Sequence, residues 1–399
     1  MRTGFGWNPT WQRYGHLNEF RAKPKIHEKE QSFNMNDRKL RWGILSTAEI
    51  ARKNWKAIQL AGNARVAAVA SRDLERSRKF ITECQAEVPM EAPAIPFGSY
   101  EELIASKEVD AVYLPLPTGL RREWALRAAE SGKHVVCEKP CGSTLSELRE
   151  MLEACRRNGV QFMDGVMFVH SNRFQRLRQA LDNHVGQLKR ISSAFSFYGG
   201  PEFFAGNIRA QSKLEPLGCL GDLGWYCIRL ALWIMKMEMP LQVTGHLLSE
   251  RAGTGSPSPV PTEFSGELKF AKGISAGFYC SFETTIQEWA MISGTEGYAE
   301  ISDFVLPFVG NELNFSIRKS DYQVDGCDFR MKTDHQKTVV SEWSHGHADA
   351  QEVNCYRTFS GQVLSGKLNE AWPEAALKTQ AVVCACLDSA REQGRPVQI

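Results

Sequence analysis

The sequence predicts an α/β protein in two parts. An open parallel sheet wound with helices spans residues 40–164, and an α+β domain with a large, mainly antiparallel open sheet spans 165–399. Three observations predict it. At 399 residues the chain is long for one hydrophobic core. Up to Asp164, short apolar runs alternate with helical segments; beyond Gly165, strand-like runs succeed one another directly.

In the first part, Trp42-Gly43-Ile44-Leu45 reads as a strand, followed by a helix through Ile50, Trp55 and Ile58. Residues 65–70 form the next strand and 74–84 the next helix. Strands at 111–114, 134–137 and 161–163 continue the series, with helices at 122–131 and 145–158 between them. Crossover helices at this spacing imply parallel pairing. In the second part, strands are expected at 188–198, 242–248, 264–270, 275–282, 288–292 and 299–301. Turns such as Ala271-Lys272-Gly273 separate them, and residues 251–261 have the turn chemistry of an exposed connection. Two helices, at 349–364 and 373–393, close the chain.

Composition narrows the class. Hydrophobic residues make up 43% and charged residues 24%, ordinary for a soluble globular protein. A net charge of +2 gives no reason to expect nucleic acid or an anionic membrane as partner. The best apolar run, residues 227–235, is too short to span a bilayer and contains Arg229. Eleven cysteines without dense, regular spacing read as reduced thiols, and a cytoplasmic location is expected. His345-Gly346-His347 lacks a partner set of acids or cysteines, so no metal is expected. Residues 1–39 form an N-terminal extension in which Trp7, Pro9, Trp11 and Tyr14 follow no period. It has no apolar core for a secretory signal, and Glu19, Glu28 and Glu30 count against a transit peptide. A flexible arm, an extension upstream of a start near Met35, and a docking arm all remain open.

The first strand–turn–helix reads Gly43-Ile44-Leu45-Ser46-Thr47-Ala48-Glu49-Ile50-Ala51. A Rossmann fingerprint needs a tight turn, close backbone approach to a pyrophosphate and a small residue where helix meets strand. Ala51 fills the last role, but Ser46 and Ala48 stand where glycine is usual. The hydroxyls of Ser46 and Thr47 are candidate phosphate donors, and Glu49 and Ile50 open the helix whose N-terminus attracts anions. Alone, this segment fits an ordinary strand–helix turn equally well.

At the tip of the second strand stand Ser71 and Arg72, with Arg76 a turn further on. Donors and positive charge suit the 2′-phosphate of NADP, so NADP is preferred and NAD remains possible. Asp73 either favours a ribose hydroxyl or caps the next helix. The loop Leu114-Pro115-Leu116-Pro117-Thr118 either lines the nicotinamide side or is a rigid connector. Glu138-Lys139-Pro140 closes the fifth strand, where ligands of open α/β sheets bind.

Tyr226 follows Gly221-Asp222-Leu223-Gly224-Trp225, and Asp222 shares its helix face. Oxidising a carbinol needs a base for the hydroxyl proton. A free phenol titrates near ~10, and a neighbouring ammonium lowers that value. Lys139 is the expected cation, with Asp222 orienting it or bonding to substrate. Taken singly, Tyr226 also reads as a core tyrosine and Asp222 as a cap.

Together these pieces resemble the glucose–fructose oxidoreductase / inositol dehydrogenase (Gfo/Idh/MocA) family, from about Leu40 to the C-terminus. The matching segments are residues 41–48, Ala70-Ser71-Arg72, Glu138-Lys139-Pro140 and residues 222–226. The resemblance implies a Rossmann domain, then a domain whose open sheet forms subunit interfaces, hence a homodimer or higher homo-oligomer. It implies that Lys139 and Tyr226 act at the reacting carbon of a small-molecule substrate: an aldose, a cyclic polyol or a trans-dihydrodiol. Tyrosine at 226 is similar to the NADP-linked branch containing D-xylose dehydrogenase and dimeric dihydrodiol dehydrogenase. Residues 164–170, Asp-Gly-Val-Met-Phe-Val-His, lack the family's arginine. His170 either faces the pocket or is structural; Trp225 either stacks on a sugar ring or packs; the role of Arg121 is open. A catalytically silent sensor of sugar or nucleotide is the competing expectation.

Overall fold

The computed structural model describes residues 38–90 and 92–399; residues 1–37 of the expected extension lie outside them. Its first sheet contains β1 (Leu40–Leu45), β2 (Ala64–Ala70), β3 (Ile95–Phe97), β4 (Ala111–Leu114), β5 (His134–Cys137) and β6 (Phe162–Asp164). They run in the order β3-β2-β1-β4-β5-β6, every pair parallel. Such a sheet is covered on both faces, so its strands read as continuous apolar runs. All four residues of β4 are buried.

Helices α1 (Glu49–Leu60), α2 (Leu74–Glu87), α3 (Tyr100–Ala105), α4 (Thr118–Glu130) and α5 (Leu145–Arg157) make the crossovers. Side-chain caps fix several of their starts. Asp73 accepts from Glu75 N at 2.8 Å, so it caps α2. Ser99 and Thr144 do the same for α3 and α5. The strand order reverses between β1 and β4, opening a crevice at their carboxyl ends.

The second sheet has nine strands: β7 (Leu188–Ser196), β8 (Gln242–Arg251), β9 (Val260–Lys269), β10 (Ser275–Ser281), β11 (Gln287–Gly294), β12 (Tyr298–Ile301), β13 (Glu312–Asp325), β14 (Asp328–Ser341) and β15 (Val397–Gln398). Pairing is antiparallel except between β7 and β10. Helices α6 (Asn172–His184), α7 (Gly200–Gly206), α8 (Trp225–Ile234), α9 (Gln351–Leu364) and α10 (Ala371–Arg391) complete the fold.

Helix α9, in the stretch assigned by sequence to the second domain, packs on the first sheet. The Trp42 ring lies 5.1 Å from that of Tyr356 and 5.2 Å from Phe359, and its Nε1 donates to Ser360 Oγ at 3.2 Å. Trp42 is fully buried by this packing. Burying an aromatic side chain of that size is worth about 3 kcal/mol, so the late helix belongs to the first core.

Candidate active site

The turn after β1 is held by its serine. Ser46 has φ of 136°, a region that favours glycine. Its hydroxyl donates to Pro115 O at 3.3 Å and accepts from Ala48 N at 3.2 Å, locking a turn glycine would leave loose. Ala48 precedes α1 without a side-chain cap. The N–H groups of Glu49 and Ile50 are therefore available to an anion, while that of Ala51 is bonded to Ala48 O at 2.9 Å.

Two adjoining cavities meet there. One, of about 870 Å³, is lined by Ser46, Thr47 and Ala48 at one end and by Ser71, Arg72 and Arg76 at the other. The second, of about 510 Å³, is lined by Glu49, Ile50, Glu138, Lys139, Asp222 and Tyr226. Ala48, Pro115, Leu116 and Pro117 border both. Residues from the ends of β1, β2, β4 and β5 are thus brought to one crevice, and the lysine and tyrosine face one space.

Within the second cavity, Lys139 Nζ donates to Asp222 Oδ1 and to Asp222 O, each at 2.6 Å. The same ammonium lies over the Tyr226 ring, 4.7 Å from its centroid. Arg209 Nε donates to the other carboxylate oxygen, Asp222 Oδ2, at 2.7 Å. Burial opposes the charge on Asp222, but Lys139 and Arg209 outweigh it and hold the carboxyl well below the usual carboxylate range. The expectation for Tyr226 needs correction. Burial first, then the charges of Glu138 and Asp222, push its phenol well above the ordinary value. The ammonium that was expected to lower it is engaged by Asp222.

Glu138 is held from below. Its Oε1 accepts from the Tyr113 hydroxyl at 2.6 Å, which in turn accepts from Asn54 Nδ2 at 2.5 Å. A Cβ on Gly165 would stand 3.3 Å from Glu138 Oε1, a tight contact that the carboxylate could relieve only by shifting. Arg121 is buried; its Nε donates to Leu116 O at 2.7 Å and its Nη1 to the Pro140 carbonyl, tying the proline loop to the Glu138-Lys139-Pro140 segment.

Two expected contacts, Leu114 and Thr118, are corrected, and two open alternatives, at Trp225 and His170, are decided. Leu114 is fully buried in the core and borders neither cavity. Thr118 is also buried, with its N–H and hydroxyl committed to Glu215 at 3.1 and 2.5 Å. Trp225 has no exposed surface and donates from Nε1 to Asp164 Oδ2 at 3.3 Å, so it packs and does not stack on a ligand. His170 borders neither cavity, and burial, then the nearby charge of Arg229, lowers its pKa to about 4. Asp164 itself is occupied by a buried bidentate pair with Arg229, at 3.2 and 2.6 Å. Arg209 and Glu215 escaped the sequence reading because residues 207–215 carry no period or motif that marks them.

Family models match both halves of the chain. The model described as the oxidoreductase family with NAD-binding Rossmann fold covers residues 40–166, and the GFO/IDH/MocA C-terminal domain covers 174–300. The chain belongs to the Gfo/Idh/MocA family. It is an oxidoreductase with a NAD-binding Rossmann fold. Among relatives in this family, D-xylose 1-dehydrogenase (NADP(+)) 2 of Haloferax volcanii is 30% identical over 279 residues, covering 69% of this chain and 80% of its own. The trans-1,2-dihydrobenzene-1,2-diol dehydrogenase of Mus musculus is 28% identical over 294 residues, covering 69% and 83%. A 3-ketoreductase from Actinomadura kijaniata, solved with NADP and TDP-benzene, superposes with a TM-score of 0.74 at 25% identity, covering 88% of this chain and 98% of that one. Among the described residues no helix is long and apolar enough to cross a membrane.

Proposed function

We propose that this chain is an NADP-preferring dehydrogenase or reductase that moves hydride between nicotinamide and a CH–OH or carbonyl carbon of an aldose, cyclic polyol or trans-dihydrodiol. The observation that carries this reading is the meeting of Lys139, Asp222 and Tyr226 in a cavity adjoining the Ser46–Arg72 cavity. Residues 40–164 would bind the dinucleotide, and residues from 165 onward, α9 apart, would supply substrate contacts.

The donor set fits a phosphorylated dinucleotide. The uncapped start of α1, with the Thr47 hydroxyl, would hold the pyrophosphate; the Ser46 hydroxyl, whose proton goes to Pro115 O, shapes the turn and does not donate to phosphate. Arg72 and Arg76 would take the 2′-phosphate, since a guanidinium forks onto phosphate oxygens; the Ser71 hydroxyl is turned to Asp73 O at 3.1 Å and shapes the loop. Pro115 and Pro117 would border the nicotinamide, which supplies or accepts hydride when bound.

The chain's own part is proton handling. With its pKa raised, the Tyr226 hydroxyl keeps its proton at neutral pH. It is therefore poised to give that proton to the oxygen of a carbonyl being reduced, and Lys139 would stabilise negative charge building on the same oxygen. Work in the oxidative direction requires the phenol to be deprotonated first.

Trp289 and Met291 are exposed and alternate along β11 with buried Ala290 and Ile292, so this strand presents an apolar pair on the outer face of the second sheet. That supports a homodimer through this sheet. All eleven cysteines are free thiols, which supports a reducing, cytoplasmic setting.

The test is an absorbance screen at the nicotinamide band against aldoses, inositols and trans-dihydrodiols, with NADP(H) and NAD(H). Turnover with NADP(H) on at least one class is expected. Tight NADPH binding with no absorbance change on any class would replace this reading with the silent sensor.

A further inference from the structure

The segment from Asn207 to Glu215 spans the two cavities. Ile208 borders both, Leu214 the first, and Arg209 and Glu215 the second. It is moored on both sides. Towards the first sheet, Gly119 N donates to Leu214 O at 2.9 Å and Thr118 N to Glu215 Oε1 at 3.1 Å. The approach is so close that a Cβ on Gly119 would stand 2.2 Å from Lys213 O. Towards the second sheet, Gly253 N donates to Ala210 O at 2.8 Å and Ser212 N to Ser256 Oγ at 3.0 Å.

From this moored segment Arg209 reaches the carboxylate that holds Lys139. Arg209 Nε takes Asp222 Oδ2 at 2.7 Å while Lys139 takes Oδ1 at 2.6 Å, one oxygen to each cation. A carboxylate bonded on one oxygen alone can swing about its side-chain torsion, leaving the ammonium only its bond to the main-chain Asp222 O at 2.6 Å as a fixed anchor. Bonded on both, it is fixed. Arg209 is 42% exposed on its side chain, so solvent screens its charge and its geometry matters more.

We infer that Arg209 is a positioning residue that clamps Asp222 and so holds Lys139 over the Tyr226 ring. The inference rests on the proposed roles of Lys139 and Tyr226.

Two measurements test it, on the full chain. The first needs no substrate: labelling of Lys139 by acetic anhydride, read by mass spectrometry. Arg209→Met should speed labelling several-fold, and Arg209→Lys, which restores one N–H donor, should return it towards the wild-type rate. Unchanged labelling in Arg209→Met overturns the clamp. The second uses a substrate turned over in the absorbance screen. Arg209→Met should lower kcat by about 10- to 100-fold, leave KM and the NADPH Kd within about two-fold, and be partly rescued by Arg209→Lys. In an Asp222→Asn background, Arg209→Met should add no further loss, the signature of two residues acting as one unit. A loss confined to KM, or full additivity in the double variant, overturns the inference. If Lys139→Ala abolishes turnover while Arg209→Met leaves kcat intact, the clamp fails alone; if Lys139→Ala turns over normally, the proposed chemistry has failed as well.

Discussion

Lys139 sits on the face of Tyr226, its Nζ 4.7 Å from the ring centroid, and spends its hydrogen bonds on Asp222. The ammonium therefore favours the ring electrostatically without ion-pairing the phenol. Since burial raises the Tyr226 pKa, reduction and oxidation should respond to pH in opposite ways. Initial rates of carbonyl reduction should stay flat through neutral pH and fall only at alkaline pH, as the proton is lost. Oxidation of the corresponding alcohol should climb with pH across the same range. A reductive rate that rose with pH from neutral would contradict the acid role.

Cofactor choice should rest on the tip of β2. Arg72 and Arg76 are exposed at the end of the larger cavity. A hydrogen bond to a charged group is worth about 1.5–3 kcal/mol. Arg72→Ala should therefore weaken NADPH binding by roughly 10- to 100-fold and leave NADH binding nearly unchanged. Fluorescence titration of the two reduced cofactors checks this.

Ser46 should tolerate glycine better than alanine. Ser46→Gly relieves a residue at φ of 136° while giving up the bonds to Pro115 and Ala48, so thermal stability should move by no more than ~1 kcal/mol. Ser46→Ala keeps the Cβ and loses both bonds, and should cost about 1–3 kcal/mol. Calorimetric unfolding of the two variants separates them.

Glu288 should make stability depend on pH. It is buried beside Asp303 and accepts from Leu306 N at 2.7 Å. Burial pushes its pKa from 4.5 to about 7. The folded state then holds a proton that the unfolded state gives up, so this contribution is full below 4.5 and is lost as pH rises to about 7. The loss is roughly 3 kcal/mol by linkage. Glu288→Gln should flatten that slope in denaturant titrations across the same window.

How far the sequence carried depended on local pattern. β1, β2, β4 and β5 were legible because strands buried on both faces are short unbroken apolar runs. The β13–β14 hairpin was not, since only Leu313, Phe315 and Ile317 alternate inward before both strands run out into solvent. Nothing local in α9 says that Tyr356 and Phe359 cover Trp42, more than 300 residues earlier. In the site, Lys139 and Asp222 were legible from motif and spacing. Arg209 was not, because its meaning lies in where a patternless segment is moored. Leu114 and Trp225 show the converse: each is adjacent in sequence to a residue that borders a cavity, yet each is itself buried in the core and borders neither.

The most direct measurement is turnover of Lys139→Ala beside the wild type, on one substrate from the absorbance screen, with NADPH binding followed in parallel. Loss of turnover by 100-fold or more (about 2.7 kcal/mol of barrier), with the cofactor still bound and the fold intact, is the expected result. Turnover near the wild-type rate would contradict a role for the Lys139–Asp222–Tyr226 cluster at the reacting carbon.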